Sequence, residues 1–178
     1  MSAIWLVLRT IGSLLAVACL LRAWAHRQHM SPHNPVSVFV SAVTDWIVKP
    51  YRKLIAPTRS ADWASVLAAI TIAVVVSAVY ALMFDGGRTP AFGAVVLRAV
   101  LWLLEWTLQL LIAVLFLQAI LSWVNPHAPI QPALNQLTDP MLGPIRKVVP
   151  LVGGVDLSPM VLMLAVYVGL ELIQNVRF

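Results

Sequence analysis

The stretch WASVLAAITIAVVVSAVYALMF, residues 63–84, runs for 22 residues without a Lys, Arg, Asp or Glu. A bilayer core takes about 20 apolar residues of helix to cross, so this segment reads as a membrane span. The chain around it agrees: of 178 residues, 61% are hydrophobic and only 11% charged, against about a quarter charged in a soluble domain. The net charge of +5 is spread over too few ionisable groups to make a nucleic-acid surface. In a chain this apolar it reads instead as loops facing anionic lipid headgroups.

Outward from that segment, DGGRTP at 85–90 breaks the helix, since Gly-Gly and Pro favour a turn. Three further spans follow the same length rule: about 3–24, interrupted by Arg9 and Arg22; about 92–124, longer than a membrane needs and so expected to tilt or project; and about 157–174, with Glu171 near its end. The lone cysteine, Cys19, cannot form an intramolecular disulfide. AVAC at 16–19 has the shape of a lipoprotein cleavage site. Against processing, no Lys or Arg precedes Arg9 and the apolar run continues through Leu20 and Leu21. Cys19 is therefore expected as an inert side chain among apolar neighbours.

The segments between spans one and two, and between three and four, repeat each other. TDWIVKPYRK at 44–53 and TDPMLGPIRK at 138–147 stand 94 residues apart and share Thr44/Thr138, Asp45/Asp139, Pro50/Pro144, Arg52/Arg146 and Lys53/Lys147. The same offset pairs Pro35 with Pro129 and Asp62 with Asp156. Val36, Phe39, Val40, Val43, Trp46 and Ile47 fall at helix-face spacing, with Ser37, Ser41, Thr44, Asp45 and Lys49 largely elsewhere. Ile130, Ala133, Leu134, Leu137 and Met141 repeat the stripe, opposite Asn135, Gln136 and Asp139. An apolar stripe beside a polar, partly basic face is the pattern of a helix lying in the membrane interface. Pro50 and Pro144 are expected to break or kink these helices, and Asp62 and Asp156 to cap the spans that follow.

The expected fold is thus an all-α membrane protein of four transmembrane helices in two parallel repeats, residues 1–88 and 89–178. Each is a span, an interfacial amphipathic helix (about 35–55 and 129–149) and a span. Two crossings return the chain to its starting side, so such repeats are related by an axis along the membrane normal. Arg22, Arg27, Lys49, Arg52, Lys53, Arg59, Arg146 and Lys147 lie on the loop side, against Arg9, Arg88, Arg98 and Arg177 opposite. Eight against four favours cytoplasmic loops one and three, with both termini outside.

NP at 34–35, LQAILSWV at 117–124 and TDPMLGPIRKVVPLVGGVDLSPMV at 138–161 resemble the YggT family, also called YlmG. The first copy departs from the pattern: Trp46 and Lys49 stand where the second has Pro140 and Gly143, and APTRSAD at 56–62 replaces PLVGGVD. The resemblance implies a small multi-pass protein of the bacterial plasma (inner) membrane. Relatives are linked to cell division, osmotic-stress tolerance, nucleoid distribution and, in plastids, assembly of the cytochrome b–f complex. It brings no settled molecular activity.

His26, His29 and His33 fall within eight residues, but no cysteine or well-spaced carboxylate completes a metal site. No haem-attachment CxxCH, P-loop, HExxH or GxSxG occurs; neither enzyme chemistry nor a cofactor is expected. Two clusters of charge remain. Asp45, Arg52, Lys53, Asp139, Arg146 and Lys147 form a candidate interaction surface on the loop side. Arg9, Arg98, Glu105 and Glu171 share one leaflet inside the spans, where charges usually face the bundle interior and pair. Trp24, Trp46, Trp63 and Trp123 lie near the loop side as interfacial anchors. The expected function is a membrane scaffold or assembly factor that recruits partners; the alternative is a small transporter or channel subunit using the intramembrane charges. The expected partners are the bilayer, its anionic headgroups and a membrane or cytoplasmic protein, with a homo-oligomer open.

Overall fold

A computed structural model describes residues 3–58, 61–84, 91–149 and 156–175. Among them the chain folds into six helices and no strand: α1 (Ala3–Arg27), α2 (Pro35–Leu54), α3 (Trp63–Phe84), α4 (Phe92–Val124), α5 (Gln131–Arg146) and α6 (Ser158–Asn175). Four of them, α1, α3, α4 and α6, are long and apolar enough to cross a membrane. At 1.5 Å per residue, the 33 residues of α4 span about 50 Å, well beyond a hydrocarbon core of about 30 Å.

α1 packs on α3, α3 on α4 and α4 on α6, while α2 straddles α1 and α3 and α5 straddles α4 and α6. Small residues let α1 and α3 approach. Ser65, Ala69, Ala73, Ser77 and Ala81 recur every fourth residue of α3, and all are buried. Ala69 and Ala73 share one core with Ala16 and Cys19 of α1, and small residues of this kind bring helix backbones close in lipid. A methyl group added at Gly12 would sit 2.6 Å from Val76 Cγ2. Ser77 also donates its hydroxyl to the Val95 carbonyl at 3.0 Å, tying α3 to α4.

The helix ends follow local chemistry. Asn34 caps α2, its Oδ1 accepting the Val36 N–H at 3.0 Å. Asp62 caps α3 through the Ser65 N–H at 3.4 Å and hydroxyl at 2.8 Å. Asp156 accepts the Ser158 N–H at 2.9 Å, but the carbonyl that opens α6 belongs to Leu157, one residue later than a cap at Asp156 requires. α1 runs a turn past its expected end and closes with a Schellman motif: His29 donates its N–H to the His26 carbonyl and Met30 to the Ala25 carbonyl. His29 takes the left-handed position, φ 53°, usually held by glycine, and Met30 and Ala25 are buried together.

One expectation is corrected. The helices do not break at their prolines: Pro50 lies inside α2, and Pro140 and Pro144 lie inside α5. Each removes one backbone bond, and all three are exposed, so water or headgroups can reach the freed carbonyls. Within α2 the apolar stripe divides between the bundle and the exterior. Val40, Thr44 and Val48 face the bundle, while Phe39 and Trp46 are exposed. Thr44 turns inward because its hydroxyl is doubly engaged, donating to the Val40 carbonyl at 2.7 Å and accepting from Arg22 at 2.8 Å. On α5 the expected stripe holds better: Ala133, Leu134 and Leu137 are buried, and Met141 is exposed.

Candidate functional site: arginine–aspartate clasps at the loop end

At the loop end of α1, Arg22 is the helix's one buried charge. Its Nη1 donates to Thr44 Oγ1 and Asp45 Oδ1, both at 2.8 Å, and its Nε lies 3.8 Å from Asp62 Oδ2. Asp45 also pairs with Lys49, one turn along α2, at 3.0 Å. Asp62, with no exposed side-chain surface, accepts from Arg52 Nη2 at 2.6 Å. One aspartate thus caps α3 and clamps both α1 and α2 to it. Burial works against ionising Asp62, but the hydrogen bonds from Arg52 and Ser65 outweigh it and hold its carboxyl below the usual range. For Asp45, burial is likewise outweighed by hydrogen bonds from Lys49 and Arg22.

The second copy repeats part of this. Arg146 bridges Asp139 and Asp156, through Nη1 and Nε respectively, each at 2.8 Å. Burial opposes the Arg146 charge, and its two carboxylates more than offset that, raising its pKa. The Asp156 carboxyl, burial notwithstanding, is lowered by bonds from Ser158 and Arg146. Arg52–Asp62 and Arg146–Asp156 are thus the same ten-residue clasp at the same place in each copy. Thr138, like Thr44, is fully buried and bonds the carbonyl four residues back. The difference is Arg22, whose counterpart 94 residues on is Phe116. Polar contact from α4 to α5 comes instead from Gln118 Nε2, 3.1 Å from Asn135 Oδ1. Asp139 and Arg146 remain open, their side chains 52% and 38% exposed. Lys53 and Lys147 are exposed as well.

At the other end of the bundle, Glu105 of α4 is 4% exposed and lies 4.0 Å from Arg9 of α1, with Gln109 donating to it at 3.5 Å. Arg9 also sits 6.0 Å from the Trp102 ring centroid, and Arg98 lies 4.5 Å over the Tyr80 ring. Trp5, Tyr80, Phe84, Trp102 and Trp106 stack around them as one aromatic cluster. Glu171 does not join: it is exposed on α6 and bonds Tyr167, one turn back in the same helix. That helix packs chiefly on α4. Of the four intramembrane charges, the fold brings Arg9 and Glu105 together, sets Arg98 on Tyr80 and leaves Glu171 apart.

The histidines serve the loop. His26 Nε2 bonds the Thr58 carbonyl at 2.8 Å and His29 closes α1; among the described residues no cluster of His, Cys, Asp or Glu is placed for a metal. Of the four expected anchors, Trp46, Trp63 and Trp123 are exposed and Trp24 half-buried. Arg22 and Ser65 were missed as site residues. Arg22 was legible only as a cation inside an apolar run, and Ser65 as the third residue after Asp62, a capping position.

The sequence model of the CCB3/YggT family matches residues 1–83 and 97–176. The chain belongs to this family. A protein of Escherichia coli (strain K12) named "Uncharacterized protein YggT" is 38% identical over 170 residues, covering 94% of this chain and 87% of that protein. A Vibrio alginolyticus protein, "Uncharacterized protein in proC 3'region", is 32% identical over 172 residues, covering 96% and 91%. One from Haemophilus influenzae is 32% identical over 157 residues, covering 86% and 83%. No solved structure matches. With four apolar helices of spanning length, this member of the family is a multi-pass membrane protein.

Proposed function

We propose that this chain is a non-enzymatic scaffold of the bacterial plasma membrane that recruits a protein partner at its loop-side surface. In this reading α1 and α3, then α4 and α6, cross the bilayer as two parallel repeats. α2 and α5 lie in the interface on the cytoplasmic side, touching anionic headgroups, and both termini are outside. Two observations support the arrangement. The clasp Arg52–Asp62 recurs as Arg146–Asp156, and the two segments matched by the family model fall one in each copy. Phe39 and Trp46, exposed on α2, suit immersion among headgroups and acyl chains.

The observation that carries recruitment is the unequal exposure of the copies. Asp45 and Asp62 of the first copy are 34% and 0% exposed, whereas Asp139 of the second is 52% exposed beside the exposed Arg146 and Lys147. Anionic lipid alone would select Lys and Arg there, not an exposed aspartate. The process served is proposed from the family resemblance: cell division or osmotic-stress tolerance. Photocrosslinkers at 139 and 147, in cells, should capture one discrete protein, and reversing the charge at both should abolish capture. Crosslinking to lipid alone would refute recruitment. Cysteines at 88 and 178 should react with an impermeant thiol reagent from outside and one at 136 should not; the opposite pattern reverses the orientation.

The buried Arg9–Glu105 pair supports a second reading, a small transporter or channel subunit. Glu105→Gln and Glu105→Ala separate the two. Normal folded yield with lost osmotic-stress complementation in both variants favours a transport site. Lost yield in the alanine variant, rescued in glutamine with activity intact, favours a structural pair.

A further inference from the structure

Three helices each present one face to an open apolar groove. Leu20, Trp24 and Arg27 follow one another turn by turn along α1. Trp63, Val66, Ile70 and Val74 do so along α3, and Val100, Leu104, Thr107 and Leu111 along α4. The groove consists of two hollows, of about 340 and 350 Å³, that meet at Leu20, Val66 and Thr107. It opens outward, where Trp63, Ile70, Val100 and Leu104 are exposed. From Trp63 to Val74 it runs about 16 Å at 1.5 Å per residue, about half of a hydrocarbon core of about 30 Å. That is the depth of one leaflet, measured from the loop end.

Charge enters the lining at the loop end alone. Arg27 is exposed at the mouth, and among the described residues it pairs with no carboxylate. Asp62 borders the same end, but its side chain has no exposed surface and is spent on Arg52 and Arg22. A cation at the water end of an apolar slot one leaflet deep matches an amphiphile with an anionic head and a hydrocarbon tail. The planar guanidinium offers the fork that phosphate oxygens take, and Trp24 and Trp63 beside it suit the headgroup level. A peptide would bring backbone groups that need partners in lipid. The one hydroxyl among the described lining residues, Thr107, already donates to the Leu103 carbonyl at 2.6 Å.

We propose that this groove binds one phospholipid with an anionic headgroup, its phosphate on Arg27 and an acyl chain laid between α3 and α4 past Thr107. The site needs only that the four apolar helices cross a bilayer. It depends neither on partner recruitment at the second copy, which crosslinking tests, nor on which side the loop end faces.

The full chain in detergent, stripped of lipid, is mixed with equal amounts of phosphatidylglycerol and phosphatidylcholine of the same acyl chains and weighed intact by native mass spectrometry. One phosphatidylglycerol should be retained at saturation, with a preference of about fivefold, the ratio that corresponds to about 1 kcal/mol for a basic residue at an anionic lipid surface. Arg27→Gln, a change at an exposed position, should make retention of the two lipids equal. Lys49→Gln removes the same charge outside the groove and should leave the preference intact. Val66→Phe fills the point where the hollows meet and, in folded protein, should lower retention of both lipids several-fold. Equal retention of the two lipids by the wild-type chain overturns the proposal. So does a preference that survives Arg27→Gln, or one that Lys49→Gln removes, since the headgroup then sits elsewhere. Unchanged retention by folded Val66→Phe puts the acyl chain outside the groove and overturns it as well; where that variant does not fold, the Arg27 and Lys49 arms decide.

Discussion

Replacing Asp62 by alanine removes the acceptor shared by three elements. Its carboxylate has no exposed surface and takes bonds from Arg52 at 2.6 Å, the Ser65 hydroxyl at 2.8 Å and the Ser65 N–H at 3.4 Å. Loss of the cap costs about 1 kcal/mol, and leaving the partner of a buried pair uncompensated costs about 3–5 kcal/mol. The second figure is reduced here, because Arg52 is about a third exposed and Arg22 keeps Thr44 and Asp45. About 3 kcal/mol in all is expected. Asp156→Ala is its internal control: that side chain is 31% exposed and Arg146 retains Asp139, so about 1 kcal/mol should be lost. Reversible unfolding by dodecyl sulfate in mixed micelles, followed by tryptophan fluorescence, measures both. The gap of about 2 kcal/mol, on the order of 30-fold in the folding equilibrium, is the quantity at stake. Equal losses, or less than about 1 kcal/mol from Asp62→Ala, would refute the argument that burial makes the first clasp the stronger one.

Gly12→Val should cost about 1–3 kcal/mol by overpacking, since a β-carbon there meets Val76 Cγ2 at 2.6 Å; Val76→Ala in the same chain should recover part of it, and an additive double mutant would count against direct contact. Asp45, Asp62 and Asp156 all have carboxyls held below the ordinary value of 3.8. The folded state therefore binds fewer protons than the unfolded one, and their stabilisation is fully present above that value and lost as pH falls through the lower folded values; the midpoint in detergent should drop on acidification to about pH 3 and do so less in Asp62→Asn. His29→Gly should raise stability by about 0.5–1 kcal/mol, because glycine adopts φ 53° without the left-handed penalty; a loss would mean the imidazole does more than close the helix.

The spans were legible because lipid imposes a long, simple rule: the 22 charge-free residues of α3 leave no other reading, and its bounds, Trp63 and Phe84, match the expected ones. The amphipathic helices were legible in existence but less so in rotation. Periodicity marks which residues are apolar, not which apolar face meets protein and which meets lipid. In a membrane protein both are apolar, so Phe39 and Trp46 could be exposed while Thr44 was buried. The prolines misled for a related reason. A proline's cost depends on whether water can reach the carbonyl it frees, and sequence gives no exposure. The small residues at every fourth position of α3 stand plainly in the sequence, but their spacing does not say which neighbour they meet: Gly12 of α1 meets Val76, and Ser77 bonds α4.

The charged sites divide along the same line. Asp139–Arg146, seven apart, follows from one helix, whereas Arg146–Asp156 was not expected: Asp156 was read only as a helix cap. Arg22 could not be assigned that way. It has no counterpart in the second copy, and its partners Thr44, Asp45 and Asp62 lie 22 to 40 residues away. The letters that recur 94 residues apart mark what the two segments share, here a clasp that fastens α2 to α3 and α5 to the start of α6. What one copy alone has gained is invisible to that comparison until the fold shows where it points. Arg22 points at the aspartate that the second copy leaves to its own arginine. That single added cation ties the first segment's aspartates to α1, where the second segment's Asp139 stays half-exposed with its own arginine.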